Sequence, residues 1–515
     1  MHANVTSGAV LGVEAYRIEV EVDLGQGMMV FSTVGLPASA VCEARTRVKS
    51  ALVNCGYGFP QCRVTVNLAP AHIRKEGTGF DLPMALGILM AERKLPSEAL
   101  ADTLVVGELA LDGRVRGVRG ILPLAAQALR LGLKRVIVPR HNAAEAAVVD
   151  DIEVVGVDHL AECVEILTGR AQPIPVPAFE EPPPEEGAID LRDVRGQAVA
   201  RRALEIAAAG GHNLLFLGPP GAGKTMLARR LPTIVPPLTF PERLETSIVA
   251  SVAGLLPADR PLVAQRPFRA PHHTVSGVGL TGGGSLARPG EVSLAHNGVL
   301  FLHELPEFRR EALESMRQPL EDGEVVIARA QATLTYPSRF MLVAAMNPCP
   351  CGYLGHPRRS CECHPGQVQA YRNRISGPLL DRIDLQVPVD PVDPRSLRAE
   401  AVEESSATVR GRVLAARAIQ EARSGTGRCN AHLRPAELRR YCVLDARADA
   451  FLTRAMERLD LSARAHDRIL KVARTLADLA GRESLLTADV AEAVQYRQLD
   501  RGASAGARVV ARAQP

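Results

Sequence analysis

The stretch NLLFLGPPGAGKTMLARRL, residues 213 to 231, limits the possible folds more than any other part of the chain. An apolar run enters a glycine-rich loop, and the loop opens directly into an amphipathic segment. Gly218, Gly223, Lys224 and Thr225 fit the spacing G-x-x-x-x-G-K-[ST] in its required setting between a strand and a helix. Glycines let the backbone N–H groups of such a loop curl around an anion, and the following helix points its positive end at the same spot. A lysine there reaches β- and γ-phosphates, and the hydroxyl after it ligates magnesium. We therefore expect Gly218, Pro219, Pro220, Gly221, Ala222, Gly223, Lys224 and Thr225 to bind ATP, with Thr225 on Mg²⁺.

A second apolar run, GVLFLHELPEF (298–308), delivers His303 and Glu304. In nucleotide hydrolases such a strand ends in two acids, one holding the metal and one activating water. Glu304 is thus the expected catalytic base, while the metal-holding acid is replaced by His303. A neutral imidazole can still hydrogen-bond a metal-bound water, so His303 is kept as a Mg²⁺-site candidate, but it adds no negative charge. A third run, FMLVAAMNP (340–348), ends in Asn347, placed to hydrogen-bond a γ-phosphate or the attacking water. Arg382, in LLDRIDLQV, is a candidate arginine finger for a neighbouring subunit's nucleotide. Arg464, in LSARAHDRIL, is expected to reach the nucleotide from a lid. Taken singly, either arginine reads as an ordinary surface ion-pair residue; their order along the chain singles them out.

With 515 residues the chain is too long for one ordinary domain. Its most obvious boundary is the proline- and acid-rich AQPIPVPAFEEPPPEEG, 171–187, expected to be a semi-extended linker. Before it, RVTVNLAP, TLVVGEL, KRVIVP and DIEVVGV read as strands. VCEARTRVKSALVNCG and LPLAAQALRLG read as helices ended by Gly56 and Gly132. The expected fold is α/β multidomain. Residues 1–170 form an α/β domain, 188–395 a nucleotide-binding αβα sandwich, and 396–502 a helical lid carrying ARADAFLTRAMERL, ARAHDRILKVARTLADLAG and TADVAEAVQYR. Residues 503–515 form a mobile tail.

No apolar run approaches the roughly 20 residues a bilayer requires, and MHANVTSGAV lacks a basic segment followed by an apolar core. A cytoplasmic protein with no membrane partner is expected. A net charge of +4 does not by itself argue for nucleic acid. With no Trp and 3% aromatics, any DNA contact would rest on cations and backbone amides at phosphates, not on base stacking.

CPCGYLGHPRRSCEC holds Cys349, Cys351, Cys361 and Cys363 as two C-x-C pairs. Four thiolates at that spacing suit a structural Zn²⁺, with His364 as a substitute ligand; four free thiols are the alternative. The other six cysteines, Cys42, Cys55, Cys62, Cys163, Cys429 and Cys442, are scattered and read as inert. The adjacent His272 and His273 should point apart, so local packing or hydrogen bonding is expected of them and not a shared metal.

The order of these motifs resembles AAA+ ATPases of the magnesium-chelatase-like group, and specifically the ComM/YifB family. FRAPHHTVSGVGLTGGGSLARPGEVSLAHNGVLFL, RQPLEDGEV, YPSRFMLVAAMNPCPCGYLG and ISGPLLDRID carry the likeness, which runs from the N-terminal domain to QYRQLDR. It implies a hexameric ring, a helix-2 insert at 268–290, and a hairpin in EVVIARAQATLTYPSRF facing DNA in the central channel, with Arg329 the residue to test there. It also implies branch migration of single-stranded or branched DNA during natural transformation. His303 departs from the Asp expected of the family. The N-terminal domain resembles the proteolytic, ribosomal-S5-like domain of Lon. The serine of that Ser–Lys dyad falls on Gly79 and the lysine on Leu122, which leaves no peptidase chemistry and a scaffold role. Two other functions stay open: a chelatase-type ATPase that remodels a protein partner, and an ATP-binding scaffold whose hydrolysis His303 impairs.

Overall fold

The computed structural model describes residues 1–176, 189–284, 288–328, 333–391 and 403–497. The expected linker falls largely outside these residues. Arg329, the lid boundary near 395 and the tail 503–515 fall wholly outside them.

The first of two large sheets has seven strands. Their order is Val30–Val34, Arg63–Ala69, Glu14–Gly25, His2–Leu11, Thr103–Val105, Arg135–Pro139 and Glu153–Val157. Its long hairpin pairs His2 with Asp23 through Leu11 with Glu14. Strict alternation drives the pairing: Ile18, Val20 and Val22 are fully buried, with Glu19 and Glu21 on the other face. Helices Ser39–Asn54 and Asp81–Ala91 cover one face of this sheet. Helix Ile121–Arg130 covers the other with Leu124, Ala125 and Ala128. TLVVGEL breaks into two short strands, Thr103–Val105 and Glu108–Leu109, and the other three expected strands form close to where their patterns place them.

The second sheet is wholly parallel. It has five strands in the order Phe268–Arg269, Val299–His303, Met341–Met346, Leu214–Leu217 and Leu385–Pro388. Both faces are covered, which explains why its strands read as unbroken apolar runs. Leu214, Phe216, Val299, Phe301, Val343 and Ala345 point to one core; Leu215, Leu300, Leu302, Leu342 and Ala344 point to the other. The first core is shared with helices Ala198–Gly210 and Lys224–Ile234 and with the C-terminal helices Ser406–Ser424, Ala446–Leu459, Ala463–Leu479 and Thr487–Gln495. The 268–290 stretch contains the short strand Phe268–Arg269, helix Gly277–Thr281 and a small hairpin of Gly282–Gly283 with Arg288–Pro289. A second hairpin pairs Glu324–Ala328 with Thr333–Pro337 ahead of strand Met341–Met346.

Two joints tie the sheets and the C-terminal helices together. In one, Leu122, Val148 and Leu262 are buried against Leu244 and Ile248 on helix Phe240–Ala253. There the Glu145 carboxylate accepts from the Leu122 N–H at 3.0 Å and from the Ser251 hydroxyl. The other is ionic. Asp384, 1% exposed, accepts from Arg468 Nη1 at 2.9 Å and the Asn213 N–H at 3.2 Å, and lies 3.1 Å from His212 Nδ1. His212 Nε2 lies 2.8 Å from Thr475 Oγ1 on the same C-terminal helix as Arg468. Burial would raise the Asp384 pKa, but the Arg468 guanidinium and His212 outweigh it and hold the carboxyl well below the usual carboxylate range. Removing one member of a buried pair strands its partner, at about 3–5 kcal/mol. Asp384→Ala should therefore lower the urea midpoint, read by circular dichroism, by a loss of that size. Substituting the exposed Arg464 should leave the midpoint nearly unchanged.

Candidate functional site

In a parallel sheet the C-terminal strand ends are where connections diverge and ligands are held. Here the glycine loop leaves strand Leu214–Leu217, with later strands on both sides of it. The loop is tightly held. Gly218 donates its N–H to Met346 O at 3.2 Å, and a Cβ at 218 would sit 2.1 Å from Val389 O, so only glycine fits. Ala222 N–H closes a turn onto Pro219 O at 3.3 Å. Gln197, just before helix Ala198–Gly210, donates its side-chain amide to Ala222 O at 3.3 Å and to Asp390 O at 2.6 Å. Gly223 is left-handed, with φ +90°, and no side chain caps helix Lys224–Ile234. The first N–H groups of that helix thus lack intrahelical partners and face the loop.

Lys224 is almost fully buried, and three acceptors surround its ammonium. They are Gly218 O at 2.6 Å, Pro219 O at 2.9 Å and Asn347 Oδ1 at 3.0 Å. Burial pushes its pKa down to about 8, with the nearby Glu304 carboxylate opposing the shift. Thr225 follows on the first turn of the helix.

His303 ends its strand in register with Ala345, so Glu304 emerges at the same edge as Asn347. Glu304 has a left-handed backbone, φ +58°, unusual for a residue with a side chain. Two imidazoles flank its carboxylate: His273 Nδ1 at 3.6 Å and His303 Nδ1 at 3.9 Å. Burial lowers the His303 pKa, and Lys224 and His273 add to that against the pull of Glu304, so the ring is neutral at pH 7. Glu307, the next acid along, pairs with Arg374 at 2.9 Å.

His273 stacks on His272 with ring centroids 4.1 Å apart, while His272 Nδ1 lies 3.0 Å from Thr274 Oγ1. Against expectation the two rings lie together, tilted by 34°, and one of them meets the Glu304 carboxylate, a contact with no local sequence signal. Gln197 also escaped the sequence reading, because a polar residue before a helix is unremarkable until the loop it holds is placed beside it.

Lys224, Asn347, Glu304 and His303 are therefore gathered at one edge of the sheet. Arg382 and Arg464 are gathered elsewhere. Arg464 pairs with Asp381 at 3.6 Å, and Arg382 donates to Pro378 O at 2.7 Å and to the Glu321 carboxylate. Asp381 and Arg382 come just ahead of strand Leu385–Pro388, whose first residue is level with Leu214, and Arg464 joins them there through its pair with Asp381. They thus occupy the end of the sheet away from their own glycine loop, one strand length distant, and Arg464 does not sit beside the nucleotide loop of its own chain.

The four thiols Cys349, Cys351, Cys361 and Cys363 lie with all sulfurs within 4.8 Å of one another, the only such cluster among the described residues. The sulfur–sulfur separations are 3.3 Å for Cys349–Cys351 and 3.6 Å from Cys361 to each of them. Around one Zn²⁺ with ~2.3 Å Zn–S bonds, tetrahedral sulfurs stand about 3.8 Å apart, so the set fits that ion. His364 is not part of the cluster; it caps helix Pro365–Arg372 instead.

Family comparisons match almost the whole chain. The magnesium chelatase subunit ChlI family matches residues 190–397, a second ChlI family residues 20–142, and the ChlI C-terminal family residues 403–497. The chain is 46% identical to competence protein ComM of Haemophilus influenzae over 97% of its own length and 98% of that protein's. It is 44% identical to the uncharacterized protein YifB of Escherichia coli, covering 96% of this chain and 97% of YifB. Over 37% of its length it is 25% identical to the Lon protease of Rhizobium meliloti, covering 25% of that protein.

The buried ammonium gives the site a pH signature. Anionic phosphates favour charged Lys224, so binding should be at full strength below pH 8 and should weaken as the free protein's lysine loses its proton above it. Fluorescence titration with a labelled adenine nucleotide should show a flat dissociation constant from about pH 6.5 to 7.5. Between about pH 8 and 9 it should rise by up to about tenfold, the limit for one linked proton.

Proposed function

The chain belongs to the ComM/YifB family of magnesium-chelatase-like AAA+ proteins, and from that membership we propose that it is an ATP-hydrolysing ring motor acting on single-stranded or branched DNA. The observation that carries this reading is the convergence of Lys224, Asn347 and Glu304 at one edge of the parallel sheet. Residues 218–225 hold the phosphates of ATP, Lys224 exchanging its loop carbonyls for phosphate oxygens and Thr225 offering its hydroxyl to Mg²⁺. When bound, Mg²⁺ neutralises phosphate charge. Glu304 orients and deprotonates the attacking water, and Asn347 reads the γ-phosphate. His273 and neutral His303 hold the Glu304 carboxylate between them.

Arg382 and Arg464 stand at the opposite end of the sheet. We assign both to the nucleotide of a neighbouring copy, which calls for a ring, six-membered by resemblance to the family. The hairpin of Glu324–Ala328 and Thr333–Pro337 would face DNA in the channel, and Arg329, outside the described residues, is the residue to test there. The name of the ComM relative, a competence protein, supports a role in handling DNA during transformation, in the cytoplasm. Residues 1–170 act as a Lon-like scaffold without the dyad, 188–395 as the motor and 396–502 as the lid. Gly79 offers no nucleophile there, and Leu122 is wholly buried in the joint with helix Phe240–Ala253.

The test is steady-state ATP hydrolysis by the purified chain, with and without single-stranded and branched DNA. Turnover should rise with DNA and fall by about 10²-fold or more in Glu304→Gln, the usual worth of a catalytic base. Turnover indifferent to every DNA would rule out the DNA motor. His303→Asp restores a second carboxylate beside Thr225 and should raise the rate. A parent with no turnover that gains it in His303→Asp would make this chain an ATP-binding switch.

A further inference from the structure

We propose that the four-cysteine cluster is a Zn²⁺ site that sets the geometry of the nucleotide cradle, so that zinc occupancy controls nucleotide affinity. The inference rests on the nucleotide-binding reading of residues 218–225.

The cluster grows directly out of the cradle. Asn347, which takes the Lys224 ammonium, is two residues from Cys349, with only the stiff Pro348 between them. Cys349 is fully buried, and its sulfur accepts the Leu354 N–H at 3.3 Å. The Cys363 sulfur accepts the Cys351 N–H at 3.4 Å. Backbone N–H groups aimed at sulfur favour thiolate, the form that ligates metal. The side chain of Arg372, on the next helix, donates to Pro348 O at 3.4 Å.

The same loop touches the cradle a second time. Gly352 lies between Cys351 and the rest of the knuckle with φ +86°, and a Cβ there would meet Pro220 Cδ at 2.6 Å. Pro220 belongs to the glycine loop. One cluster therefore bears on both sides of the phosphate site, on Asn347 through the chain and on Pro220 by contact.

Without an ion, the two C-x-C ends meet through weak thiol contacts, and the loop between them is held by local bonds such as Arg359 to the Tyr353 hydroxyl at 2.6 Å. Four thiolates on one Zn²⁺ would lock it, releasing a proton from each thiol that ligates. Zinc then acts on the nucleotide through Asn347 and Pro220 while touching neither the nucleotide nor Lys224. These are positioning roles, and they are separable. Gly352→Ala removes no sulfur ligand but presses on Pro220 and strains a left-handed backbone, whereas Cys361→Ser removes a ligand.

The experiment uses the full chain. Zinc per chain is measured by inductively coupled plasma mass spectrometry, and affinity for a fluorescent ADP is measured with Mg²⁺ present. Both are read on the parent as purified, after extraction with a chelator and a reductant, and after Zn²⁺ is returned; circular dichroism reports whether the fold persists. One zinc per chain is expected. Extraction should weaken ADP binding about tenfold, the loss for one mispositioned charge-assisted hydrogen bond, and returned Zn²⁺ should restore it. Cys361→Ser should lack zinc and match the extracted protein, while Gly352→Ala should keep zinc and bind ADP more weakly than the parent. Absence of stoichiometric zinc, or full ADP affinity in the zinc-free protein, overturns the proposal while leaving the nucleotide site intact. A zinc-loaded parent that binds no ADP overturns the nucleotide reading as well.

Discussion

A lysine ammonium buried at the edge of a parallel sheet is the constraint around which the central part of this chain is arranged. Lys224 cannot stay charged in that position without acceptors, and three are supplied, two by the glycine loop and one by Asn347 on the neighbouring strand. Each acceptor in turn needs its own support. The loop carbonyls are fixed because Gly218 allows the chain at Val389 to pass within contact distance, and because Gln197 ties Ala222 to Asp390. Asn347 is fixed by the strand before it and the cysteine knuckle after it. Burial lowers the lysine pKa to about 8, so it stays charged at neutral pH but at a cost, and a phosphate meets a cation that gains from its arrival.

The parts of the fold that can be read from the sequence are those where the signal is local. The glycine loop, the buried strands around Phe301 and Val343 and the helices Ala446–Leu459 and Ala463–Leu479 each carry their pattern within one window, and each forms close to where that pattern falls. The first hairpin is a different case. Ile18, Val20 and Val22 alternate with glutamates as plainly as any strand in the chain, although the strands expected from the sequence start only at residue 63. For the site, the sequence places Lys224 in the loop after one apolar strand and Asn347 just past another, but that these strands are neighbours, bringing the two side chains together, comes from the sheet. The meeting of His273 with Glu304 could not, since it depends on strand Phe268–Arg269 lying beside Val299–His303 across an intervening hairpin and two short helices. Arg464 was placed by motif order, and motif order says nothing about which end of a sheet a helix reaches; the Asp381 contact does.

The N-terminal sheet is not an independent appendage. Leu122 is fully buried and packs with Val148 and Leu262 against the helix that follows the glycine-loop helix. Glu145 completes the joint by accepting from both sides of it, from Leu122 N–H and from Ser251. The Asp384 network joins the C-terminal helices to the sheet by charge, beside the apolar core they already share with it. The central sheet is thus braced on two sides, by a small apolar joint closed by one carboxylate and by a larger contact that adds a buried ionic network.

Arg382 and Arg464 lie at the wrong end of their own sheet to serve their own nucleotide. If they serve the next copy's, no single chain contains a whole catalytic centre; each carries two halves that belong to different sites. Specific activity would then depend on protein concentration, falling on dilution faster than nucleotide binding does. A chain lacking only Arg382 would still bind ATP and would silence its neighbour while its own loop went on working. In a cell, the number of assembled rings, more than the number of chains, would set the output.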